Sequence, residues 1–463
     1  MSYVVGVDRG QASLLPASLE DYIKADSPVR VIDAFVAGLD VVELGFGRAV
    51  PASTGRPPYD PRDLLKLYIY GYFNEVRSSR RLERECRRNV EAMWLLHRLA
   101  PDFKTIADFR RANSTAIMGA CRAFVMLCRE CGLFQARLVA LDGSKFRAVA
   151  SRKKIMGREA IADEVACLDR KIADYLAELD DADNTEPDDA PDAVADTLTA
   201  LEAHRAELQR LASWLDTKGR ALVVMGEEDA RPMGIGRGAK PPSYNVQTAV
   251  DADTGLILHH EVTDEATDNR MLHPMAEATK QVLERDALTV VADAGYSSGT
   301  QATACEASDI TTCVPANRAI NNHGDGALFD RSAFAYDTAS DTFRCPMGRR
   351  LVRKRMHRDG TNVIYTSNDC SGCTLKSQCT TAARRSVTRN LHEDALNRMN
   401  ERATSDMMRR RRCAAEYPFG TIKRMMAGGR FLTRNLKGTR TEMALSVLAY
   451  NMLRAINIKA PLL

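Results

Sequence analysis

Leu138-Val139-Ala140-Leu141-Asp142-Gly143 and Leu288-Thr289-Val290-Val291-Ala292-Asp293-Ala294-Gly295 are the two stretches on which the reading of the fold turns. Each is a short apolar run that ends in an aspartate and is closely followed by glycine. Runs of this length suit strands buried on both faces. The carboxyl end of such a strand in an open α/β sheet holds a side chain on a rigid frame, which is where sites form. Both strands are therefore expected to stop at their acids.

Working outward, residues 160–215 read as helix around an acidic break at Asp180–Asp192. Leu168, Ile172, Tyr175 and Leu176 precede the break, and Leu198, Leu201, Leu208 and Leu211 follow it. This predicts an inserted helical hairpin with an acidic, disordered tip. Next, Tyr244, Val246, Thr248 and Val250 alternate, Asp253-Thr254-Gly255 turns, and Leu256-Ile257-Leu258 returns, which predicts a β-hairpin. A helix around Met271–Leu283, the Leu288 strand, a further helix and a strand at Thr311–Pro315 complete the series. The order predicts a mixed α/β sheet with helices on its faces.

Upstream, Val29–Leu44 is an apolar helical stretch. Asp60 suits a helix cap and Pro61 a first helical position. Leu64, Leu65, Leu67, Tyr68, Tyr72 and Phe73 then recur at helical spacing. Two more short helices carry Arg80, Arg81, Arg84, Arg87 and Arg88, and Arg110 and Arg111. Such helices suit a DNA-binding bundle, and a plain bundle almost as well. A helical C-terminus is expected from about Leu391 to Lys459 with one interruption. The predicted organisation is an N-terminal helical DNA-binding domain (1–133), the first part of a catalytic core (134–320, with a helical insertion at about 155–235), a Cys-rich insertion (321–395) and C-terminal helices of the core (396–463).

Composition narrows the class. The 463 residues are 45% hydrophobic and 27% charged, with no apolar run near the roughly 18–20 residues of a membrane span. Met1–Gly10 contains Asp8 and Arg9 and no apolar core, so no signal peptide is expected. The net charge of +4 is modest, but base is gathered at Arg77–Arg88, at Arg409–Arg412 and along Lys423–Arg440. The 12 cysteines without a secretion signal argue for a reducing, cytoplasmic setting. Cys345, Cys370, Cys373 and Cys379 form the suggestive group: Cys370-Ser371-Gly372-Cys373 is a two-residue-spaced knuckle, and four thiolates suit tetrahedral Zn²⁺. The alternative is four reduced thiols in a loop-rich insert. Cys121, Cys128 and Cys131 read as helix core.

The paired aspartates offer hard oxygen ligands for a divalent cation, with a helical acid, Glu416, as a third. Two such cations roughly 3.5–4 Å apart clamp the attacking and leaving oxygens of a phosphodiester displacement. A strand-terminal Asp also serves as an ordinary turn or cap residue. Gly234–Gly238 is glycine-rich, but Lys240-Pro241-Pro242 follows it and denies it the helix of a nucleotide loop. His259-His260 reads as surface. Met407-Met408 and Met425-Met426 read as helix packing.

Leu141-Asp142-Gly143-Ser144-Lys145 and Val291-Ala292-Asp293-Ala294-Gly295-Tyr296 resemble the first and second acidic motifs of bacterial insertion-sequence transposases of the DDE type. Ala415-Glu416-Tyr417-Pro418-Phe419-Gly420-Thr421-Ile422-Lys423-Arg424 resembles the third. Within that group the sequence is most similar to the family numbered eleven eighty-two. The resemblance extends over Gly55–Arg111, Tyr244–Asp251 and the tail with Phe431-Leu432, Arg434 and Ala449-Tyr450-Asn451.

The resemblance implies an RNase H-like core, Mg²⁺ (or Mn²⁺) at Asp142, Asp293 and Glu416, and DNA strand cleavage and transfer. It also implies a zinc-binding cysteine insert. Arg412 and Lys423 match basic positions of the third motif and are expected on DNA phosphates. Arg409 and Arg424 extend that basic set, and Arg80, Arg81, Arg84, Arg110 and Arg111 would serve the N-terminal domain. The expected partners are double-stranded DNA with terminal inverted repeats, target DNA and a second copy of the chain on DNA, with no membrane. The cell compartment is the bacterial cytoplasm, at the nucleoid.

Two positions depart from the pattern. Arg409 stands where related families have Tyr, and Tyr417 where close relatives have His. Pro418 is expected to kink the helix after Glu416, leaving Arg412 on the face of Glu416 more surely than Lys423. Two other readings remain open: a catalytically silent DNA-binding derivative of a transposase, and an RNase H-like metal nuclease.

Overall fold

The computed structural model describes residues 18–459 apart from 52, 56, 184–191, 235–237, 239, 317–327 and 359. The acidic tip and most of the Gly234–Gly238 run lie outside the described residues.

The chain opens with helices α1 (Pro28–Ala37), α2 (Pro61–Phe73), α3 (Ser79–Arg88), α4 (Val90–Leu95), α5 (Phe103–Ala112) and α6 (Ser114–Glu130). Asp60 caps α2 as the sequence predicts, its side chain accepting from the Arg62 amide, and Pro61 occupies the first turn. Asn89 and Asp102 cap α4 and α5 in the same way.

Strand β1 (Val139–Arg147) follows, then β2 (Ile155–Gly157), the long pair α7 (Arg158–Asp183) and α8 (Asp192–Lys218), β3 (Leu222–Val224) and β4 (Arg231–Pro232). β2 and β3 pair at the root of the α7–α8 hairpin, which has its own core of Ile161, Leu168, Leu208, Leu211 and Leu215. The predicted insertion is therefore a separate packing unit.

The main sheet is completed by β5 (Pro242–Asp251), β6 (Ile257–Thr263), β7 (Leu288–Val291) and β8 (Ile310–Cys313), with α9 (Leu272–Val282) and α10 (Gly299–Ala307) between them. Its order is β4-β5-β1-β7-β8, with β6 also on β5. β5 and β6 run antiparallel to their neighbours, whereas β7 and β8 join in parallel. This is the mixed α/β sheet with helices between its strands that the sequence predicts.

Alternation along β1 and β7 sorts their side chains between two faces. Val139, Leu141, Val290 and Ala292 enter the main core, with α6, α9 and the last helix α14 (Asn435–Lys459). Leu138, Ala140 and Val291 face Met407, Met408, Ala414 and Ala415 of α13 (Ser405–Met425). The methionine pairs are packing residues, as read from the sequence.

Two expectations need correction. β1 does not stop at Asp142 but continues to Arg147, because β5 pairs with it through Arg147↔Ser243. A strand with one full-length neighbour still satisfies its backbone on that side. Of residues 321–395, those described from 328 on are not the loop-rich stretch of the alternative reading. They form a five-stranded antiparallel sheet of β9 (Ala335–Asp337), β10 (Thr342–Arg344), β11 (Arg350–Met356), β12 (Asn362–Ser367) and β13 (Ser386–Asn390), with the short helix α11 (Lys376–Cys379). Phe334, Phe343, Leu351, Val363, Tyr365 and Val387 fill its core.

The C-terminal helices are α12 (Glu393–Arg402), α13 and α14, with two interruptions where one was expected. α14 joins the N-terminal bundle to the sheet, packing on α2, α6 and β6. Arg77, which the sequence groups with the exposed bases, is buried and pairs with Glu442 of α14 at 2.7 Å. Asn451 of the same helix donates to the Ile257 carbonyl (2.8 Å) and accepts from its amide (2.9 Å), completing the start of β6.

Candidate active site

β1 and β7 register Val139 with Val290 and Ala140 with Val291. Continued for two more residues, that register sets Asp142 level with Asp293 on strands roughly 4.8 Å apart. Period two also puts both acids on the face of Ala140 and Val291, beneath α13. Asp293 ends β7, and its side chain accepts from the Gly295 amide at 2.9 Å. Asp142 accepts from the Gly143 amide at 2.9 Å.

α13 delivers a cation to the pair. One guanidinium nitrogen of Arg411 lies 2.5 Å from Asp142 Oδ1 and 3.2 Å from Asp293 Oδ2. Arg411 and Asp142 are largely buried, with side-chain exposures of 9% and 15%, whereas Asp293 is 48% exposed. Burial pushes the Asp142 carboxyl up to about 6; Arg411 and the Gly143 amide pull it down, and Asp293 and Asp268 push it up. Arg411 Nε is buried without a hydrogen-bond partner. An arginine held this way by two acids is a ready stand-in for a hard cation, so the donor set fits one.

Glu416 is on the same helix but exposed. Five residues beyond Arg411, it is turned about 140° around the helix axis. Ala415, four residues on, takes the sheet-facing position instead. Among the described residues Glu416 makes no hydrogen bond or ion pair, and no three carboxylate, imidazole or thiolate groups stand close enough to hold an ion as placed. The structure thus brings together Asp142 and Asp293, and Glu416 shares only their covering helix.

α13 runs as one helix through Pro418, the residue at which a kink was expected, and Pro418 is buried. Arg412 is exposed one turn from Glu416, as the spacing predicts. Lys423 is half-buried, its ammonium 5.5 Å from the centre of the Phe146 ring. Burial lowers its pKa and the Asp142 charge raises it.

The sequence reading missed two members of this cluster. Arg411 was hidden in a run of four arginines, and only the docking of α13 selects it. Asp268 lies in the loop between β6 and α9. Its Oδ1 accepts from Asn245 Nδ2 (2.7 Å), Gln247 Nε2 (2.7 Å) and Lys145 Nζ (3.4 Å). Gln247 in turn accepts from the Tyr296 hydroxyl, three residues past Asp293. The charges of Asp268, Asp142 and Asp293 all raise the already buried Tyr296 hydroxyl. The only sequence signal for this network is the polar residues of an otherwise apolar central strand, β5.

The remaining candidates are dispersed. Arg80, Arg81, Arg84 and Arg111 are exposed, Arg80 over Phe103 and Arg111 paired with Asp108. Arg110 is half-buried against Tyr68. Arg409 and Arg424 are exposed beside Asp406 and Glu75. His259 and His260 are half-buried on β6 rather than on the surface. Burial lowers both imidazoles, to about 4 and about 3, and keeps them neutral.

In the insert, burial raises the Cys379 thiol, Arg385 lowers it, and the charges of Cys370, Cys345 and Cys373 add to the rise. The Arg385 amide donates to Cys370 Sγ at 3.4 Å. Gly348 and Gly372, both with positive φ, allow the tight turns after Cys345 and before Cys373. Four thiols suit a tetrahedral zinc ion by type, but as placed no three of them stand close enough to hold one.

Fold and site together define a mixed α/β protein with a pair of acids, suited to a divalent cation, at the heart of its sheet. The chain belongs to the DDE transposases: the model of the Transposase DDE domain matches residues 199–452, more than half of its length. The Transposase domain DUF772 matches residues 17–112, the N-terminal helices. Asp293 and Glu416 fall inside the first match, and Asp142 precedes it. No curated protein sequence matches the chain. Among solved structures it is similar to the cryo-EM structure of piggyBac transposase in a synaptic complex with hairpin DNA, with 8% identity, 93% of this chain and 74% of that chain covered, and a TM-score of 0.33. No helix among the described residues is long and apolar enough to cross a membrane.

Proposed function

We propose that this transposase cuts DNA at the terminal inverted repeats of an insertion sequence of the family numbered eleven eighty-two and joins the freed ends to target DNA. Asp142, Asp293 and Glu416 would hold Mg²⁺ or Mn²⁺. The observation that carries this reading is the convergence of Asp142 and Asp293 on one buried guanidinium.

Bound divalent ions supply an activated water or 3′-hydroxyl and neutralise the departing oxygen. The chain's own part is to hold the acids on a rigid sheet, to exclude water with α13 and to meet phosphate charge with basic side chains. Arg411, which holds the two carboxylates in this structure, would be free to face the scissile phosphate together with Lys423 were a cation to take its place. Glu416, exposed and unpartnered on the same helix, would complete the donor set only after a turn or shift of α13.

Exposed Arg80, Arg81, Arg84 and Arg111 read the ends from the N-terminal helices, with Arg110 supporting them. Arg409, Arg412 and Arg424 bind backbone phosphates. A homodimer brings two ends together, and zinc on Cys345, Cys370, Cys373 and Cys379 rigidifies the insert. The chain works in the bacterial cytoplasm at the nucleoid.

The test is incubation of purified protein with DNA carrying the repeats that flank its gene, with and without Mg²⁺. Metal-dependent cleavage and a strand-transfer product are expected, both lost in Asp142→Ala. Cleavage without joining identifies a nuclease. DNA binding without cleavage identifies a silent derivative. Activity that survives Asp142→Ala rejects the site.

A further inference from the structure

Gly143 and Lys145 alternate with Asp142 along β1, so they face the other side of the strand from Arg411. There they meet Gln247 and Asn245, their register partners on β5. Both amide side chains belong to fully buried residues of the central strand. Buried amides in such a strand are costly unless they are fully hydrogen-bonded, and an apolar pair would pack more cheaply. Here both point an N–H at one atom, Asp268 Oδ1, and Lys145 adds a third donor. Space for this carboxylate is cleared by glycine: a Cβ on Gly143 would lie 2.6 Å from Asp268 Oδ1.

With Oδ1 committed to three donors, the orientation of the carboxylate is fixed. Oδ2 makes no hydrogen bond among the described residues. It lies 4.0 Å from where a Cβ of Gly295 would stand, against the turn that carries Asp293. β7 ends at Val291 while β1 runs on to Arg147, so the sheet is open between Asp142 and this turn. Asp268 borders that notch, and its charge reaches Asp142 and Tyr296 across it.

We infer that Asp268 is a further ion-facing carboxylate of this centre, oriented by the Asn245 and Gln247 amides so that its free oxygen serves a divalent cation shared with Asp142 and Asp293. The inference rests on the metal-site reading above and adds to it a residue outside the three acidic motifs. It also gives the polar residues of β5 a purpose: they hold a ligand. As the side chains stand, the Arg411 guanidinium separates the acids. A cation that displaces it lets them close.

Mn²⁺ titration of the full chain without DNA, followed by calorimetry or by the spin signal of free Mn²⁺, tests this. Asp268→Asn keeps an acceptor for the donors and removes only the charge. It is expected to weaken Mn²⁺ binding about tenfold or more, with an unchanged melting temperature in chelator. Lys145→Met separates an ion-facing role from a merely structural one. It is expected to leave Mn²⁺ affinity unchanged or to raise it, since a competing cation is gone. Wild-type affinity in Asp268→Asn alongside weakened binding in Asp142→Asn overturns the inference and leaves the metal site standing. A matching loss in Lys145→Met also overturns it, because Asp268 would then act only through the lysine. Unchanged binding in Asp142→Asn rejects the metal site and the inference with it.

Discussion

Arg411 and Asp142, 269 residues apart along the chain, meet at 2.5 Å beneath α13. The contact is a buried ion pair, and such pairs are held at a cost in desolvation. Removing the arginine therefore has two opposite consequences. Arg411→Met is expected to destabilise the metal-free protein by about 3 kcal/mol, the low end for a broken buried pair, since Asp293 is half exposed. The same change is expected to tighten Mn²⁺ binding, because the ion no longer competes with a guanidinium. Denaturant titrations in chelator and in excess Mn²⁺ read both effects. Equal losses in the two conditions would show that Arg411 does not occupy the cation's place.

Acidity offers a second handle. Burial raises the Asp142 carboxyl from its usual 3.8 to about 6. The folded state then binds more protons than the unfolded state between those values, so stability falls as pH rises through that window and levels off above about 6. Metal binding needs the carboxylate and weakens as pH drops below about 6. Metal-free melting curves from pH 4 to 7 are expected to show the downward trend, with a smaller slope in Asp142→Asn. Identical slopes would remove Asp142 as its source.

Gly143→Ala tests the clearance on the other face of β1. The new Cβ would stand 2.3 Å from Gln247 Nε2 and 2.6 Å from Asp268 Oδ1. Overpacking of this kind costs about 1–3 kcal/mol. Metal-dependent cleavage is expected to fall more than the stability loss explains, because the shift displaces the Gln247–Tyr296 link beside Asp293. A variant with wild-type cleavage and stability would show that the network yields freely.

The cysteine insert is tested by elemental analysis and partial proteolysis. Purified protein is expected to carry about one equivalent of zinc, lost in Cys373→Ser. Proteolysis of that variant is expected to attack the insert while α14 and the main sheet stay protected. Absence of zinc in the wild type would rule out the proposed role of the four thiols.

Asn451→Leu addresses the join between the N-terminal bundle and the sheet. It leaves the amide and carbonyl of Ile257 buried without partners, at about 1–3 kcal/mol for each group. Chemical denaturation is expected to show a loss of about 2 kcal/mol or more.

The amino-acid sequence by itself determined the main strands of the central sheet and the helices around them, in order, but not the five strands of the cysteine insert. Apolar runs marked β1 and β7, alternation marked the β5–β6 hairpin, and Asp60 with Pro61 marked the start of α2. Those signals are local: they depend on side-chain period and on caps a few residues away. Asp142 and Asp293 were legible for the same reason, as acids at the end of apolar runs.

Only the tertiary structure decided which polar groups meet. The pairing of β5 carried β1 past Asp142. The docking angle of α13 chose Arg411 from four consecutive arginines and turned Glu416 outward. The folding of the β6–α9 loop set Asp268 over Gly143. Each of these depends on strand register or helix rotation, where one residue of slip exchanges inside for outside. No period in the chain encodes that choice; it is fixed when the separate apolar faces close on one another.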